Sequence, residues 1–149
     1  MPRPLIRHAT TDDLAEVLAL YRQLNPDDPV LDVASAAPVW AAVLGSGLTT
    51  PFVAEIKGRL VSSCTLAIVP NLSRGARPYG VIENVVTDEG HRRSGLGRAV
   101  LEAALDKAWA ANCYKVLLAT GSRRESTLRF YEGVGFTRDA KTYFEIRRS

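Results

Sequence analysis

The sequence lacks what several protein classes require. Nowhere in its 149 residues does an apolar run approach the roughly 18 needed to span a membrane, and "MPRPLIRHATTDD" has no apolar stretch of the signal-peptide kind. A soluble, cytoplasmic protein with no membrane partner is expected. Its two cysteines, Cys64 and Cys113, form no CxxC and stand beside no histidine pair. That excludes a disulfide framework and a thiolate metal site, so both read as buried thiols and no metal is expected. Internal repeats and low-complexity tracts are absent, and aromatic residues make up 7%. The basic residues gather with glycines rather than with stacking aromatics, which disfavours a nucleic-acid partner.

What remains is the composition of one domain, residues 1–149, with 46% apolar residues to build a core and a formal charge of +3. The arginines cluster in two places, around Arg92, Arg93 and Arg98 and around Arg123, Arg124 and Arg129. Such clustering suits a compact anion better than a long one.

"PLIRHAT" predicts a short strand. A helix follows from Asp12 to about Asn25, capped by Thr10 or Thr11, with Leu14, Val17, Leu18 and Tyr21 on one face. "VASAAPVWAAVLGSG" predicts a second helix stopped by Gly45 to Gly47. "PFVAEIKGRLVSSCTLAIV" reads as a hairpin turning at Lys57-Gly58, and "YGVIENVVT" as an apolar strand interrupted by a carboxylate and an amide. Helical spacing returns from Gly97 to Asn112. "YKVLLAT" predicts a strand, "ESTLRFYEGVG" a short helix closed by Gly135, and "KTYFEI" a last strand.

The turn between Thr87 and Gly97 carries the chemistry. A strand, a glycine turn and a helix point unpaired backbone N–H groups at one spot, and the helix dipole adds to their pull on an anion. Gly95 and Gly97 let the backbone approach a phosphate closely, Ser94 adds a hydroxyl, and Arg92 or Arg93 adds a charge-assisted hydrogen bond. The P-loop pattern GxxxxGK[ST] is missing, and Val100 stands where the dinucleotide fingerprint GxGxxG needs its third glycine.

"RRSGLG" matches the [QR]xxGxG/A signature of the GCN5-related N-acetyltransferase (GNAT) superfamily, and like that signature it follows a strand. "IRHATTDDLAEVLAL" resembles the family's opening strand and helix, "FVAEIKGRLVSSCTL" its central hairpin, and "LRFYEGVGF" its late FYExxGF element. "IENVVTDEGHRRSGLG" with "NCYKVLL" also resembles the glucosamine-6-phosphate N-acetyltransferases. Asn84, however, replaces a carboxylate frequent there, and "GSRREST" departs from the usual loop.

The resemblance implies an α/β (α+β) fold: a mixed, mostly antiparallel sheet of six to seven strands, flanked by about four helices and splayed between strands 4 and 5. It also implies acetyl-CoA as co-substrate, with backbone groups of Val85, Val86 and Thr87 holding the pantetheine arm. The segment Arg92, Arg93, Ser94, Gly95, Leu96, Gly97 and Arg98 would hold the diphosphate. Ser122 and Arg124 lie in a loop that touches the arm or the phosphates in relatives.

By the same resemblance the backbone N–H of Val85 polarises the thioester carbonyl, and Tyr131 is the general acid beside the sulfur. Glu83 is the candidate general base, directly or through water, because a carboxylate in an apolar strand is costly to bury. Asn84 either binds substrate or fixes a bulge; without a bulge, alternation puts Glu83 and Asn84 on opposite faces. Phe130 and Phe136 are expected in the core, and His8 and His91 are expected to be structural. Asp27, Asp28 and Asp32 could attract a cationic amine, Arg74 and Arg77 a phosphate.

The expected activity is direct acetyl transfer to a primary amine of a small molecule. A protein N-acetyltransferase and a non-catalytic acyl-CoA sensor are the alternatives. A homodimer is compatible with the family, although no segment demands one.

Overall fold

The computed structural model describes residues 2–148. One compact unit runs up to Leu117, and a second begins at Leu118.

In the first unit, β1 (Leu5–His8) leads through a 3-10 turn (Thr11–Asp13) into α1 (Leu14–Leu24) and then α2 (Val33–Gly45). The hairpin follows as β2 (Thr49–Ile56) and β3 (Arg59–Val69), turning at Lys57 and Gly58, both at positive φ. A single irregular turn, α3 (Ser73–Ala76), precedes β4 (Tyr79–Thr87). A 3-10 turn (Glu89–His91) and α4 (Leu96–Ala110) connect β4 to β5 (Val116–Leu117). The five strands lie in chain order, antiparallel until the last, which runs parallel to β4.

Alternation along the strands sorts the core into two layers. Leu66, Cys64 and Ile82 face α4, whose inner side carries Val100, Leu101, Ala104 and Ala108, all fully buried. The small residues of α4 let it lie close: a Cβ on Gly80 would stand 3.1 Å from Leu66, 3.2 Å from Val116 and 3.7 Å from Ala108. Against the opposite face, Val53, Leu60 and Val86 pack with Leu14, Val17 and Leu20 of α1 and with Ala36 and Trp40 of α2.

The second unit holds α5 (Glu125–Val134), capped by Gly135 at φ 123°. Within it, Arg138 bridges Glu125 and Glu132 at 2.8 and 3.0 Å.

Several expectations change. The sheet has five strands among the described residues rather than six or seven, and with α3 these residues form five helices against the expected about four. Residues 141–146 alternate like a strand but pair with no strand among the described residues; Phe144 and Ile146 are 87% and 97% exposed. A strand exists only where another edge accepts its hydrogen bonds, and a residue period cannot supply that edge. The predicted strand Tyr114–Thr120 is reduced to Val116 and Leu117, which pair with Gly80 and Val81. Phe130, expected in the core, is exposed.

Candidate functional site

The edge of β4 is irregular for a definable reason. Thr65 pairs with Glu83 and Ser63 with Val86, so two steps along β3 match three along β4. One residue is extra, and Asn84 takes the left-handed conformation at φ 56°. This is a β-bulge, and asparagine is among the few non-glycine residues that adopt that region readily.

The bulge resets which face each later residue occupies. Ile82 before it faces α4, whereas Val86 after it packs in the α1 layer. Neither Asn84 nor Val85 has a partner in the β3 register, and the pairing with β5 covers only Gly80 and Val81. Among the described residues, strand pairing on that side of β4 therefore ends at Val81.

Glu83 is exposed and lies opposite Thr65, on the face that α1 approaches. Tyr21 of α1 reaches that place: its hydroxyl is 3.4 Å from Thr65 Oγ1. Burial pushes the tyrosine pKa up, and hydrogen bonding to Thr65 and Asn84 opposes the shift.

Val86 is buried, and its carbonyl accepts from the Ser62 hydroxyl at 3.0 Å. The Asp88 N–H donates to Val61 O at 2.8 Å, toward β3, so alternation turns the main chain of Thr87 outward. Arg92 Nε donates to the Thr87 carbonyl at 3.3 Å. Thr87, rather than Val86, thus directs its main-chain groups away from β3, and Val85 is without a partner in the β3 register.

Beyond β4 the chain turns through Arg93 at φ 62° and Gly95 at φ 81°, and α4 begins at Leu96. A Cβ on Gly95 would meet nothing within 4 Å, so the position of that residue is uncrowded. Arg92, Arg93 and Ser94 are exposed; the Ser94 hydroxyl donates to the His91 carbonyl. Leu96 anchors the turn in the core at 3% exposure. Gly97 lies inside α4, and Arg98 pairs with Glu102 at 2.7 Å. Exposed cations, an open left-handed glycine and unpaired first-turn amides suit a diphosphate.

Gln23 had no signal of its own in the sequence, yet it grips this turn. Its amide donates to Asp88 Oδ1 at 2.8 Å, and its Oε1 accepts from Glu89 N–H at 2.9 Å. Asp88 Oδ2 holds His91 Nδ1 at 2.8 Å, and His8 lies edge-on to Phe52.

A second group of cations lies at the other end of β4. Lys115 Nζ sits 5.5 Å from the Tyr79 ring and 5.4 Å from that of Tyr114, and the Arg74 guanidinium 5.8 Å from Tyr114. Tyr79 and Glu83 share a sheet face by alternation. Arg77 is engaged instead by the carbonyls of Asn112 and Cys113, and Asp32 caps α2 by accepting from Ser35 N–H at 2.8 Å.

In the second unit, Ser122 Oγ donates to Thr127 Oγ1 at 3.1 Å and accepts from Arg124 N–H at 3.3 Å, fixing the entry to α5. Tyr131 is half-buried, with its ring 5.1 Å from Phe130 and 6.2 Å from Phe136.

Comparison with known proteins adds independent findings. The family model for the acetyltransferase (GNAT) family matches residues 15–136. The glucosamine 6-phosphate N-acetyltransferase of Trypanosoma brucei brucei is 34% identical over 131 residues, covering 88% of this chain and 87% of that protein. A solved structure from Agrobacterium tumefaciens superposes with TM-score 0.93 at 48% identity, covering 97% of this chain and 99% of that one. The glucosamine-6-phosphate N-acetyltransferase from Arabidopsis thaliana, at 22% identity, shares the fold with TM-score 0.84 over 99% of this chain and 98% of that one.

Proposed function

The chain belongs to the acetyltransferase (GNAT) family, and on that premise we propose that it carries an acetyl group from acetyl-CoA to a primary amine of a small molecule. The observation that carries this reading is the interrupted edge of β4, open after Val81 and leading directly into the Gly95 turn. The family match crosses the boundary at Leu117, which supports treating residues 1–149 as one acetyltransferase domain.

Acetyl-CoA supplies an activated acetyl thioester. Backbone amides from Arg93 to Arg98 hold its diphosphate, with Arg92 and Arg93 adding charge. Val85 and Thr87 offer main-chain groups to the pantetheine arm, as strand addition does for a peptide. The Val85 N–H is a fixed donor for a carbonyl oxygen, the kind of group whose loss costs about 3 kcal/mol.

Glu83 takes the amine proton, directly or through water, and its exposure lets an acceptor reach it. Tyr131 is the proposed general acid on the family resemblance, which also assigns Ser122 and Arg124 to coenzyme contact. The role of Asn84 is the bulge.

For the acceptor we favour an amino sugar phosphate. The Trypanosoma relative acts on one by name, and Lys115 lies over the ring of Tyr79, which shares the face of Glu83 about 13 Å along β4 at some 3.3 Å per residue.

A panel of amines, amino sugars and phosphorylated amino sugars, assayed for release of free CoA thiol, tests the reading. Turnover of a phosphorylated amino sugar is expected, abolished in Glu83→Gln and weakened in KM about tenfold by Lys115→Met, the scale of one charge-assisted hydrogen bond. Coenzyme binding with no thiol release from any amine would make the protein a sensor instead.

A further inference from the structure

The loop between β3 and β4 is strained, and it aims a cation. Arg74, Gly75 and Ala76 take left-handed φ values of 59°, 73° and 60° in succession. Residues other than glycine visit that region singly rather than in runs, and such a run persists only where its surroundings hold it. Here they do: the Asn71 side-chain amide donates to Ser73 O at 3.3 Å, to Ser73 Oγ at 2.9 Å and to Arg77 O at 3.3 Å, and Ala76 N–H donates to Leu72 O at 3.1 Å. Arg77 then donates to the carbonyls of Asn112 and Cys113, and Tyr114 N–H donates to Pro78 O at 3.0 Å. The loop is thus tied to the segment that enters β5.

That turn holds the Arg74 guanidinium 5.8 Å from the centre of the Tyr114 ring, while Lys115 Nζ stands 5.4 Å from the same ring. Two cations on one ring repel, and neither makes an ion pair among the described residues. Positive charge gathered where no carboxylate offsets it suits an anion from outside. Its place on the sheet adds a direction. Tyr79, Val81 and Glu83 share one face of β4, Val81 pairs with Leu117, and Lys115 lies 5.5 Å from the Tyr79 ring. An acceptor lying along that row with its amine at Glu83 brings its far end to the cations.

We propose that Arg74, held by the left-handed turn, forms with Lys115 the subsite for a phosphate group at the end of the acceptor remote from its amine, and that Arg74 sets the preference for phosphorylated over unphosphorylated amines. Arg77 lies outside this subsite, because the carbonyls of Asn112 and Cys113 already take its donors. That the phosphate belongs to an acceptor rests on the activity argued above; the anion site itself does not.

Glucose 6-phosphate, which carries the phosphate but no amine, separates binding from turnover. Titrated into the whole chain and followed by calorimetry and backbone amide shifts, it should bind more tightly than glucose and move the amides of Arg74 to Arg77, Tyr114 and Lys115. Arg74→Met should weaken it about tenfold, the scale of one charge-assisted hydrogen bond, and Arg74→Lys only about threefold, because lysine keeps the charge without the planar fork. Asn71→Ala, which frees the turn, should weaken binding in the wild type but not in the Arg74→Met background. In steady-state assays Arg74→Met should reduce the preference for glucosamine 6-phosphate over glucosamine about tenfold, the loss falling on KM. Binding indifferent to Arg74→Met, shifts centred on the amides from Arg93 to Arg98, or an equal rise in KM for both amines would overturn the subsite. Should glucose 6-phosphate bind as expected while no amine is turned over, the catalytic reading fails and the anion site stands.

Discussion

Gln23, one residue from the end of α1, and Asp88, the first residue after β4, are joined at 2.8 Å, and the same glutamine accepts from the next backbone N–H. The helix beneath the sheet thereby fixes the start of the turn that leads to Gly95.

Removing that grip should weaken coenzyme binding without unfolding the protein. Two hydrogen bonds worth about 1 kcal/mol each are lost in Gln23→Ala, so CoA affinity should fall about tenfold while the melting temperature shifts by a few degrees. Calorimetric titration of CoA checks this; an unchanged affinity would show that the turn is held without α1.

Asp13 governs the acid limb of stability. Its carboxylate is buried, accepts from Arg7 at 2.7 and 3.0 Å and from Thr10 N–H at 2.7 Å, and Arg7 also bonds Glu55 at 3.0 Å. The Arg7 guanidinium, then the Thr10 N–H, hold the Asp13 carboxyl below its ordinary 3.8 against the opposing effect of burial. A depressed folded pKa adds stability that is whole above 3.8 and is lost as pH falls through the lower folded value. Asp13→Ala should cost about 3 kcal/mol at neutral pH by leaving Arg7 half-paired, and should flatten the decline of stability below pH 4. Urea unfolding across pH 2.5 to 7 measures both.

Gly95 separates conformation from crowding. A methyl group there meets no atom, so any cost of Gly95→Ala comes from φ 81° alone, about 1–2 kcal/mol. That cost should appear as reduced stability together with weaker CoA binding, because the alanine favours a different entry to α4. A variant with wild-type affinity would detach the Gly95 conformation from the coenzyme.

Much of the first unit was legible from residue order. The hairpin about Lys57-Gly58, the apolar face of α1 and the Gly95 turn ahead of α4 rest on local signals, which the chain obeys. Cys64 and Cys113 are buried thiols as expected, and burial pushes the Cys64 pKa up to about 12. The bulge was open in the sequence as a choice between two faces, and only the β3 register decides it. Tyr21 read as a core residue and Gln23 carried no signal, because their partners Thr65 and Asp88 are remote in the chain. Residues 141–146 failed for the converse reason: a good strand pattern is silent about whether a partner edge exists.

The most direct test of the whole account is to follow every backbone amide of the protein by NMR while CoA is added. The account predicts the largest shifts at Val85, Thr87 and the run from Arg93 to Arg98, with little change on β1 and β2. Shifts that spare those amides, or that centre on another part of the sheet, would contradict it.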